Sequence, residues 1–288
     1  MTRTHALGQN FLIDPRAIAT IVTTFLDGQQ RHAGTHAFDR VFEIGPGQGA
    51  LTQHLLAANL FRECILFEKD ALLVPKLHQT WVSPRSLAAP THATRVRIEE
   101  GDFLHSQWRD LLPATVLSNL PYSAGTRILV ELTERAGPEL PWMVLMFQKE
   151  VADRILSGPS TPDRGSLSVW IQNRWEVKRV MDLPPQAFRP APKVDSTVLQ
   201  FIFRPEVLFA GTKPGTAEAA QFEQLLGAAF LHRRKMLRKN LGALAGGTEA
   251  LAASSVDETL RAEALSNEQW QALWNAYRAL EQQRKPML

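Results

Sequence analysis

The stretch that decides the fold of this chain runs Val41-Phe42-Glu43-Ile44-Gly45-Pro46-Gly47-Gln48-Gly49. Its first four residues form a short apolar run typical of a buried strand, and the glycines that follow predict a tight turn. Apolar side chains then recur with helical spacing, because Leu51, Leu55 and Ala58 fall on one face. This order of strand, glycine turn and helix predicts a backbone that passes close to a ligand at the carboxyl edge of a sheet.

Six further apolar stretches repeat the strand pattern along the chain. They are residues 64–67, 95–98, 115–118, 142–147, 176–181 and 197–203. Helical patterns alternate with these strands, which is typical of βαβ units. We therefore predict an α/β fold of the Rossmann-like type, with a seven-stranded, mostly parallel sheet and helices on both faces.

The character of the sequence changes after Phe203, where prolines and glycines mark a linker. The remainder predicts helices over residues 218–241, 257–265 and 267–284, the last with a capping box formed by Ser266 and Gln269. Residues 242–255, rich in Ala, Gly and Ser, are expected to form a loose connection. Two domains follow from this pattern, a larger one over residues 1–205 and a small all-helical one over residues 206–288.

Composition excludes several classes of protein. The chain has 288 residues, 44% of them hydrophobic, which is ample for a sizeable core. Its apolar stretches are far shorter than a bilayer span, and the N-terminal residues lack the apolar core of a signal peptide. A single cysteine, Cys64, fits a reducing compartment. We expect a cytoplasmic protein that does not bind membranes.

The basic residues are concentrated in one part of the sequence. The net charge is +3, but residues 224–248 contain five cations and no acidic residue, which leaves −2 for the rest. The five are Arg233, Arg234, Lys235, Arg238 and Lys239. A near-neutral body with one basic segment favours a positioned contact with a polyanion, although charge alone fits a solvated helix face equally well.

Three carboxylates follow predicted strands and narrow the choice of ligand. Glu68 ends the second strand, where it can accept hydrogen bonds from both hydroxyls of a ribose, as in NAD- and S-adenosylmethionine-binding proteins. Glu43 precedes the turn glycines Gly45 and Gly47; a carboxylate there disfavours an anionic pyrophosphate and favours the cationic ammonium and sulfonium of S-adenosylmethionine. Asp102, after the third strand, can accept from the adenine amino group. Each carboxylate alone could be a solvated strand end, but together they predict an S-adenosylmethionine site.

A polar motif, Asn119-Leu120-Pro121-Tyr122, ends the fourth strand on the same edge of the sheet. The Asn119 amide oxygen and the Leu120 carbonyl can accept both hydrogens of an adenine N6 amino group, which directs its lone pair towards a methyl donor. Pro121 rigidifies the turn, and Tyr122 offers an aromatic face for an extruded base. The motif predicts methylation of an exocyclic amino group without a strong base. No metal site is predicted, because the His and Cys spacings offer none.

Seven ordered blocks of sequence, spread over nearly the whole chain, resemble the ribosomal RNA adenine N6-dimethyltransferases, and specifically the bacterial small-subunit (16S) enzymes. The blocks are Leu7-Gly8-Gln9-Asn10-Phe11-Leu12 and residues 43–52, 119–122, 147–154, 167–169, 184–196 and 233–241. This resemblance implies S-adenosylmethionine-dependent dimethylation of N6 of two adjacent adenosines near the 3′ end of 16S rRNA. The substrate would be that rRNA within the small ribosomal subunit or its assembly intermediate, and the enzyme would take part in subunit biogenesis. We expect a monomer.

The resemblance also implies roles for individual residues. Asn10 and Leu12 would contact the cofactor, together with the strand-end residues above and Asn119. Phe188 would be a second stacking face opposite Tyr122, although without the resemblance we would assign it to the core. The basic helix containing residues 233–239 would contact rRNA through its phosphates.

Two features of the sequence depart from the family pattern. Residues 123–127 differ from the usual sequence after the motif, and residues 82–94 look like a surface insertion.

Four alternative functions remain. An enzyme of the erythromycin-resistance type would methylate large-subunit rRNA with the same site, and a DNA adenine methyltransferase would need an extra target-recognition domain. A non-catalytic assembly factor would not need the intact motif, and a nicotinamide dehydrogenase would need a hydride-transfer acid that the sequence lacks.

Overall fold

A computed structural model describes residues 9–32, 39–82, 94–135 and 137–284. Leu7 and Gly8 of the first block, and residues 83–93 of the expected insertion, lie outside these ranges. The strands are β1 Phe11–Leu12, β2 Arg40–Ile44, β3 Glu63–Glu68, β4 Arg95–Glu100, β5 Thr115–Asn119, β6 Trp142–Gln148, β7 Trp175–Leu183, β8 Phe188–Arg189 and β9 Ser196–Phe203. The helices are α1 Pro15–His32, α2 Thr52–Ala58, α3 Val74–Leu77, α4 Gly125–Arg135, α5 Lys149–Leu156, α6 Ser166–Arg174, α7 Ala217–Ala229, α8 Leu237–Leu241, α9 Gly247–Ala253 and α10 Asn267–Arg284.

The predicted seven-stranded sheet is confirmed. Its strand order is β4-β3-β2-β5-β6-β9-β7. The β4–β3, β3–β2, β2–β5 and β5–β6 pairs are parallel, and β9 pairs with β6 antiparallel. Since parallel strands point the same way, the carboxyl ends of β2, β3, β4 and β5 meet at one edge, where a ligand can reach them. The Ser118 hydroxyl fastens β5 to β2 at this edge by donating to the Ile44 carbonyl at 2.5 Å.

A second, two-stranded sheet holds residues 9–13, the N-terminal segment. β1 pairs antiparallel with β8, with Leu12 opposite Phe188. The Ile13 amide adds a hydrogen bond of 2.8 Å to the Ala187 carbonyl. The block at residues 7–12 and the block at residues 184–196, far apart in sequence, are therefore in direct contact through Leu12 and Phe188.

The chain forms two compact units. The first comprises Met1–Ala152 and Glu176–Phe203, and the second comprises Asp153–Trp175 and Arg204–Leu288. Residues 153–175 therefore join the C-terminal unit, whereas the predicted boundary at residue 205 placed them in the first domain. They do so because Arg174 is buried there: its guanidinium lies 3.9 Å from the centre of the Trp170 ring and donates to the Thr212 carbonyl at 2.8 Å. The functions assigned to the two domains stay predictions.

The helix predicted over residues 218–241 is not continuous but is divided into two helices. Helix α7 ends at Ala229 and α8 begins at Leu237, so residues 230–236 form turns. The buried Asn240 side chain stabilises this break, because its amide donates to the carbonyls of Ala229 at 2.6 Å and His232 at 3.1 Å. At the end of α7, the Asn240 amide therefore donates to the Ala229 carbonyl in place of a further helical N–H.

Two other C-terminal predictions are also wrong, and one is confirmed. The expected loose connection contains helix α9, whose Ala250 and Leu251 are buried. The expected helix at residues 257–265 is a turn, because the Asp257 carboxylate accepts from the Thr259 amide and hydroxyl; only a short 3-10 segment at Ala262–Ala264 follows. Helix α10 has its predicted bounds, and the Ser266 and Gln269 capping box is present. Within the described ranges, no helix has both the length and the apolar character needed to cross a bilayer.

Candidate cofactor and catalytic site

A cavity of about 610 Å³ lies in the first unit, at the carboxyl edge of the sheet. Its wall is formed by the N-terminal segment, the glycine turn and the ends of the parallel strands. Eleven predicted site residues line it, namely Asn10, Leu12, Glu43, Gly45, Gly47, Glu68, Asp102, Asn119, Leu120, Pro121 and Tyr122. The structure therefore brings the predicted cofactor residues and the polar motif into one cavity.

The glycine turn is joined to β3 and covered by the N-terminal segment. The Gly45 amide donates to the Phe67 carbonyl at 2.8 Å, and the Gly47 amide donates to Glu68 Oε2 at 3.1 Å. Gly47 has φ +59°, and a Cβ placed on it would lie 2.9 Å from the Phe11 ring. Only glycine fits this close approach, so the turn backbone stays free to face a ligand.

Glu43 is the most deeply buried carboxyl of the cavity. Only 2% of its surface is exposed, and its Oε2 accepts a hydrogen bond of 2.6 Å from the Thr52 hydroxyl. Burial raises the pKa of Glu43 from 4.5 to about 8, with the Thr52 hydrogen bond acting in the opposite direction. A buried carboxyl of this kind is well suited to a cationic ligand, because a positive charge nearby would stabilise the deprotonated form of Glu43.

We expect the pH dependence of stability to report this buried carboxyl. Because its pKa is raised to about 8 in the folded chain, the folded state holds the proton more tightly than the unfolded state does. The stability contributed by Glu43 is therefore complete below about pH 4.5 and is lost as the pH rises towards 8. Glu43→Gln removes this ionisation, so denaturation midpoints of the variant should fall less than those of the parent between about pH 5 and pH 8.

The control for this prediction is Glu100→Gln, which removes an exposed carboxylate at the end of β4. Its midpoints should follow the parent protein across the same pH range. Parallel profiles for Glu43→Gln and the parent would contradict the expected ionisation of Glu43.

Glu68 ends β3 and is held by backbone amides. Its Oε2 accepts from the Gly47 amide and its Oε1 from the Asp70 amide at 2.8 Å. Burial raises its pKa, and these two hydrogen bonds oppose the shift. Asp70, also buried, accepts from Gln9 Nε2 at 3.1 Å, which attaches the N-terminal segment to this end of the sheet. Sequence reasoning assigned no role to Gln9 or Asp70, although Gln9 stands inside the first quoted block.

Asp102 lies after β4 and is paired with a lysine. Lys69 Nζ donates to Asp102 Oδ2 at 2.8 Å, and the Leu104 amide donates to Oδ1 at 3.1 Å. The Lys69 hydrogen bond is the main reason that the pKa of Asp102 is lowered, so this carboxylate is charged and remains an acceptor. Lys69 was missed by sequence reasoning, because the contact depends on adjacent parallel strands.

The amide of Asn119 points in a defined direction. Its Nδ2 donates to the Asn10 carbonyl at 3.2 Å, so the amide nitrogen faces the N-terminal segment. The carbonyl of Pro121 is used by the turn, since it accepts from the amides of Ala124 and Gly125. Helix α4 begins at Gly125, so the residues that depart from the family pattern form a regular turn and helix start.

Tyr122 is half-buried, and its hydroxyl is fixed. The hydroxyl lies 2.5 Å from Ser196 Oγ, at the start of β9. Burial raises the pKa of Tyr122, with the Ser196 hydrogen bond opposing the shift, so the side chain is a neutral phenol. A neutral ring held at its far end presents a fixed face to the cavity, as base stacking requires.

Phe188, predicted to stack on the target base, does not line the cavity. It is 3% exposed and belongs to the core cluster that also contains Leu12. Its predicted stacking role stays a prediction.

The predicted RNA-contacting cations lie in the second unit, in the turn before α8 and at the start of that helix. All five are exposed, namely Arg233, Arg234, Lys235, Arg238 and Lys239. Arg233 donates to the Pro162 carbonyl, and Arg238 forms an ion pair of 3.0 Å with Glu258. The other three form no ion pair with any residue in the described ranges, so their charges are available to an anionic partner.

Solved structures of two proteins share this fold. A dimethyladenosine transferase from Plasmodium falciparum superposes with a TM-score of 0.72 at 20% identity, covering 93% of this chain and 98% of the other. The 23S rRNA methyltransferase ErmE superposes with a TM-score of 0.66 at 24% identity, covering 93% of this chain and all of the other. Both comparisons support a Rossmann-like fold for this chain.

Sequence comparison identifies the family. A family model for ribosomal RNA adenine dimethylase matches residues 2–279. A ribosomal RNA small subunit methyltransferase A from Dinoroseobacter shibae is 39% identical over 274 residues, which cover 93% of this chain and 89% of the relative. The chain belongs to the ribosomal RNA adenine dimethylase family. Its methyl donor is S-adenosylmethionine.

The cavity fits this donor in size and in chemistry. Its volume is in the range of small-molecule sites, and its carboxylates suit the ammonium, the ribose hydroxyls and the adenine amino group. Two buried polar atoms of lining residues, Gln9 Oε1 and Trp81 Nε1, have no hydrogen-bond partner within the described ranges. A bound ligand with both donors and acceptors would satisfy them.

Proposed function

We propose that this protein dimethylates N6 of two adjacent adenosines in the hairpin near the 3′ end of 16S rRNA, within the small ribosomal subunit or its assembly intermediate. It thereby takes part in subunit biogenesis, in the cytoplasm and as a monomer. The observation that carries the proposal is the placement of the Asn119–Tyr122 motif in the same cavity as three strand-end carboxylates. The small-subunit assignment is supported by relatives such as the Dinoroseobacter shibae protein.

In this proposal the carboxylates hold the cofactor. Glu43 faces its methionyl cation, Glu68 accepts from the ribose, and Asp102 accepts from the adenine amino group. Asn10 and Leu12 close the cavity from the N-terminal segment. When bound, S-adenosylmethionine supplies an electrophilic methyl group on a cationic sulfur.

The motif positions the target adenine. Asn119 turns its Nδ2 towards the Asn10 carbonyl, so its Oδ1 is the atom left to accept one N6 hydrogen. The Leu120 carbonyl accepts the other, because that of Pro121 is committed to the turn. Two acceptors hold the amino nitrogen pyramidal with its lone pair aimed at the methyl group. After transfer the alkylated nitrogen is cationic, and it loses its proton without a dedicated base.

Stacking orients the base in the same cavity. Tyr122 supplies one face, held by Ser196. A second face from Phe188 remains part of the proposal, and it requires the buried ring to become accessible.

An assay of substrate choice tests the proposed function. The protein and labelled S-adenosylmethionine are incubated with undermethylated small subunits and, separately, with large-subunit rRNA, and the modified base is mapped. We expect N6-dimethylated adenosines near the 3′ end of 16S rRNA. Label on large-subunit RNA alone would exclude the proposed substrate and favour the erythromycin-resistance type of activity.

We expect the unpaired cations of the second unit to contribute salt-dependent RNA affinity. Each phosphate contact releases counterions, so a lost contact lowers the slope of log affinity against log salt by about one. The double substitution Arg234→Ala with Lys235→Ala should lower the slope by about two. Arg238→Ala should have a smaller effect, because Glu258 already partly neutralises Arg238.

The control removes the same charge elsewhere. Arg16→Ala with Lys76→Ala changes two exposed cations of the first unit that likewise form no ion pair within the described ranges. Binding to a 16S rRNA fragment is measured over a range of salt concentrations. Equal slopes for the two double variants would exclude a specific role for the cations in the turn.

A further inference from the structure

We propose that Trp81 binds the cofactor, and that its indole N–H donates a hydrogen bond to an acceptor atom of S-adenosylmethionine. The inference rests on the proposed function only for the identity of the ligand. Trp81 lies outside all seven sequence blocks, yet it lines the cavity. It stands in the π-helical turn His78–Val82, which follows α3. Such turns break the regular helical spacing and often occur at functional sites.

The indole lies against the glycine turn. A Cβ placed on Gly49 would be 3.1 Å from Trp81 Nε1 and 3.2 Å from Cζ2. Gly49 has φ +82°, so a side chain there would be both strained and crowded by the indole. Since this turn forms the wall that faces the ligand, the N–H of Trp81 is placed beside the bound cofactor.

The indole nitrogen has no hydrogen-bond partner among the residues that the structure describes. Trp81 Nε1 is buried and makes no hydrogen bond within the described ranges. By contrast, the structural residues Trp142 and Trp274 donate to the carbonyls of Phe25 and Ala210. A buried, unsatisfied donor is unfavourable, and an acceptor on the ligand removes that penalty. The carboxylate, the ribose oxygens and the adenine ring nitrogens of S-adenosylmethionine are all acceptors.

Position distinguishes Trp81 from other tryptophans with an unpaired nitrogen. Trp108, Trp170 and Trp270 also have a buried Nε1 without a partner in the described ranges. All seven tryptophans of the chain fall in those ranges, and Trp81 alone among them lines the cavity. Its ring packs against the core cluster, as Val96 and Ile98 do, so it is held in place before the ligand arrives.

The test compares Trp81→Phe with Trp108→Phe. Each change keeps an aromatic ring and removes an N–H without a partner among the described residues, but Trp108 does not line the cavity. Affinity for S-adenosylhomocysteine is measured by calorimetry without RNA, alongside unfolding midpoints without ligand. We expect Trp81→Phe to weaken binding about fivefold to tenfold, the effect of one hydrogen bond, and Trp108→Phe to leave it unchanged.

A second measurement uses the wild-type protein. In ¹⁵N-labelled protein the Trp81 indole resonance, assigned by its absence from Trp81→Phe or Trp81→Tyr, should shift on addition of S-adenosylhomocysteine. An unchanged affinity in Trp81→Phe, or a Trp81 resonance that does not move when the ligand binds, would overturn the inference. Failure of the wild-type protein to bind the ligand would instead overturn the proposed function.

Discussion

Asn119→Ala is expected to lower the rate of methyl transfer by at least about a hundredfold while leaving most of the affinity for S-adenosylhomocysteine intact. Loss of one preorganised polar group at a reacting centre typically lowers kcat by a factor of about 10² to 10³. In the proposed mechanism the amide oxygen is the acceptor that keeps the target nitrogen pyramidal, and its direction is set by the hydrogen bond from Nδ2 to the Asn10 carbonyl. Single-turnover rates with undermethylated small subunits measure the effect on the reaction itself.

Asn119→Asp sharpens this test. The carboxylate keeps the size of the side chain and an acceptor atom, but it cannot donate to Asn10 and places a negative charge near its carbonyl oxygen. We expect a large loss of rate in this variant as well, since the direction of the acceptor is no longer fixed. Full activity in Asn119→Ala, with normal cofactor affinity, would exclude the proposed mechanism.

Tyr122→Ala is expected to lower transfer about tenfold to a hundredfold. Removing an aromatic side chain on which a base stacks costs about 1–3 kcal/mol. The Tyr122 ring is half-buried, and Ser196 fixes its hydroxyl, so truncation removes both the stacking face and its anchor. The loss should appear in kcat/KM for the rRNA substrate rather than in cofactor affinity.

Tyr122→Phe is the matched control, because it keeps the ring and removes only the hydrogen bond with Ser196. We expect a loss of less than about tenfold, as for a single hydrogen bond. If Tyr122→Phe is as impaired as Tyr122→Ala, the hydroxyl matters more than the ring, and base stacking is not the role of this residue.

Most strands could be predicted from the sequence because β2, β3, β5 and β6 are buried on both faces. Burial on both faces produces continuous apolar runs, such as residues 142–147, that turn residues interrupt. The candidate site followed from the same logic, since the polar residue at the end of each such run must lie at the carboxyl edge. Glu68, Asp102 and Asn119 were found in this way, and the structure brings them into one cavity.

The C-terminal helices were harder to predict because their ends depend on single side-chain contacts. Asn240 ends α7 by reaching back to the Ala229 carbonyl, and Asp257 closes a turn on Thr259. Neither contact leaves a signal in helical periodicity. Burial against neighbouring helices likewise makes α9 a helix although its composition is typical of a loop.

The sequence by itself therefore determined the α/β sheet and the polar residues at the ends of its strands. It also contained the Asn119–Tyr122 motif, from which the type of reaction was predicted. These features depend on local patterns of apolar and turn residues, which every segment carries in its own composition. Only the tertiary structure decided the surroundings of those residues. These include the raised pKa of Glu43, the Lys69 partner of Asp102, the direction of the Asn119 amide, the place of Phe188 in the core, and the Trp81 indole, whose N–H has no partner within the described ranges. Each of these depends on atoms that are distant in sequence and become neighbours only when the chain folds.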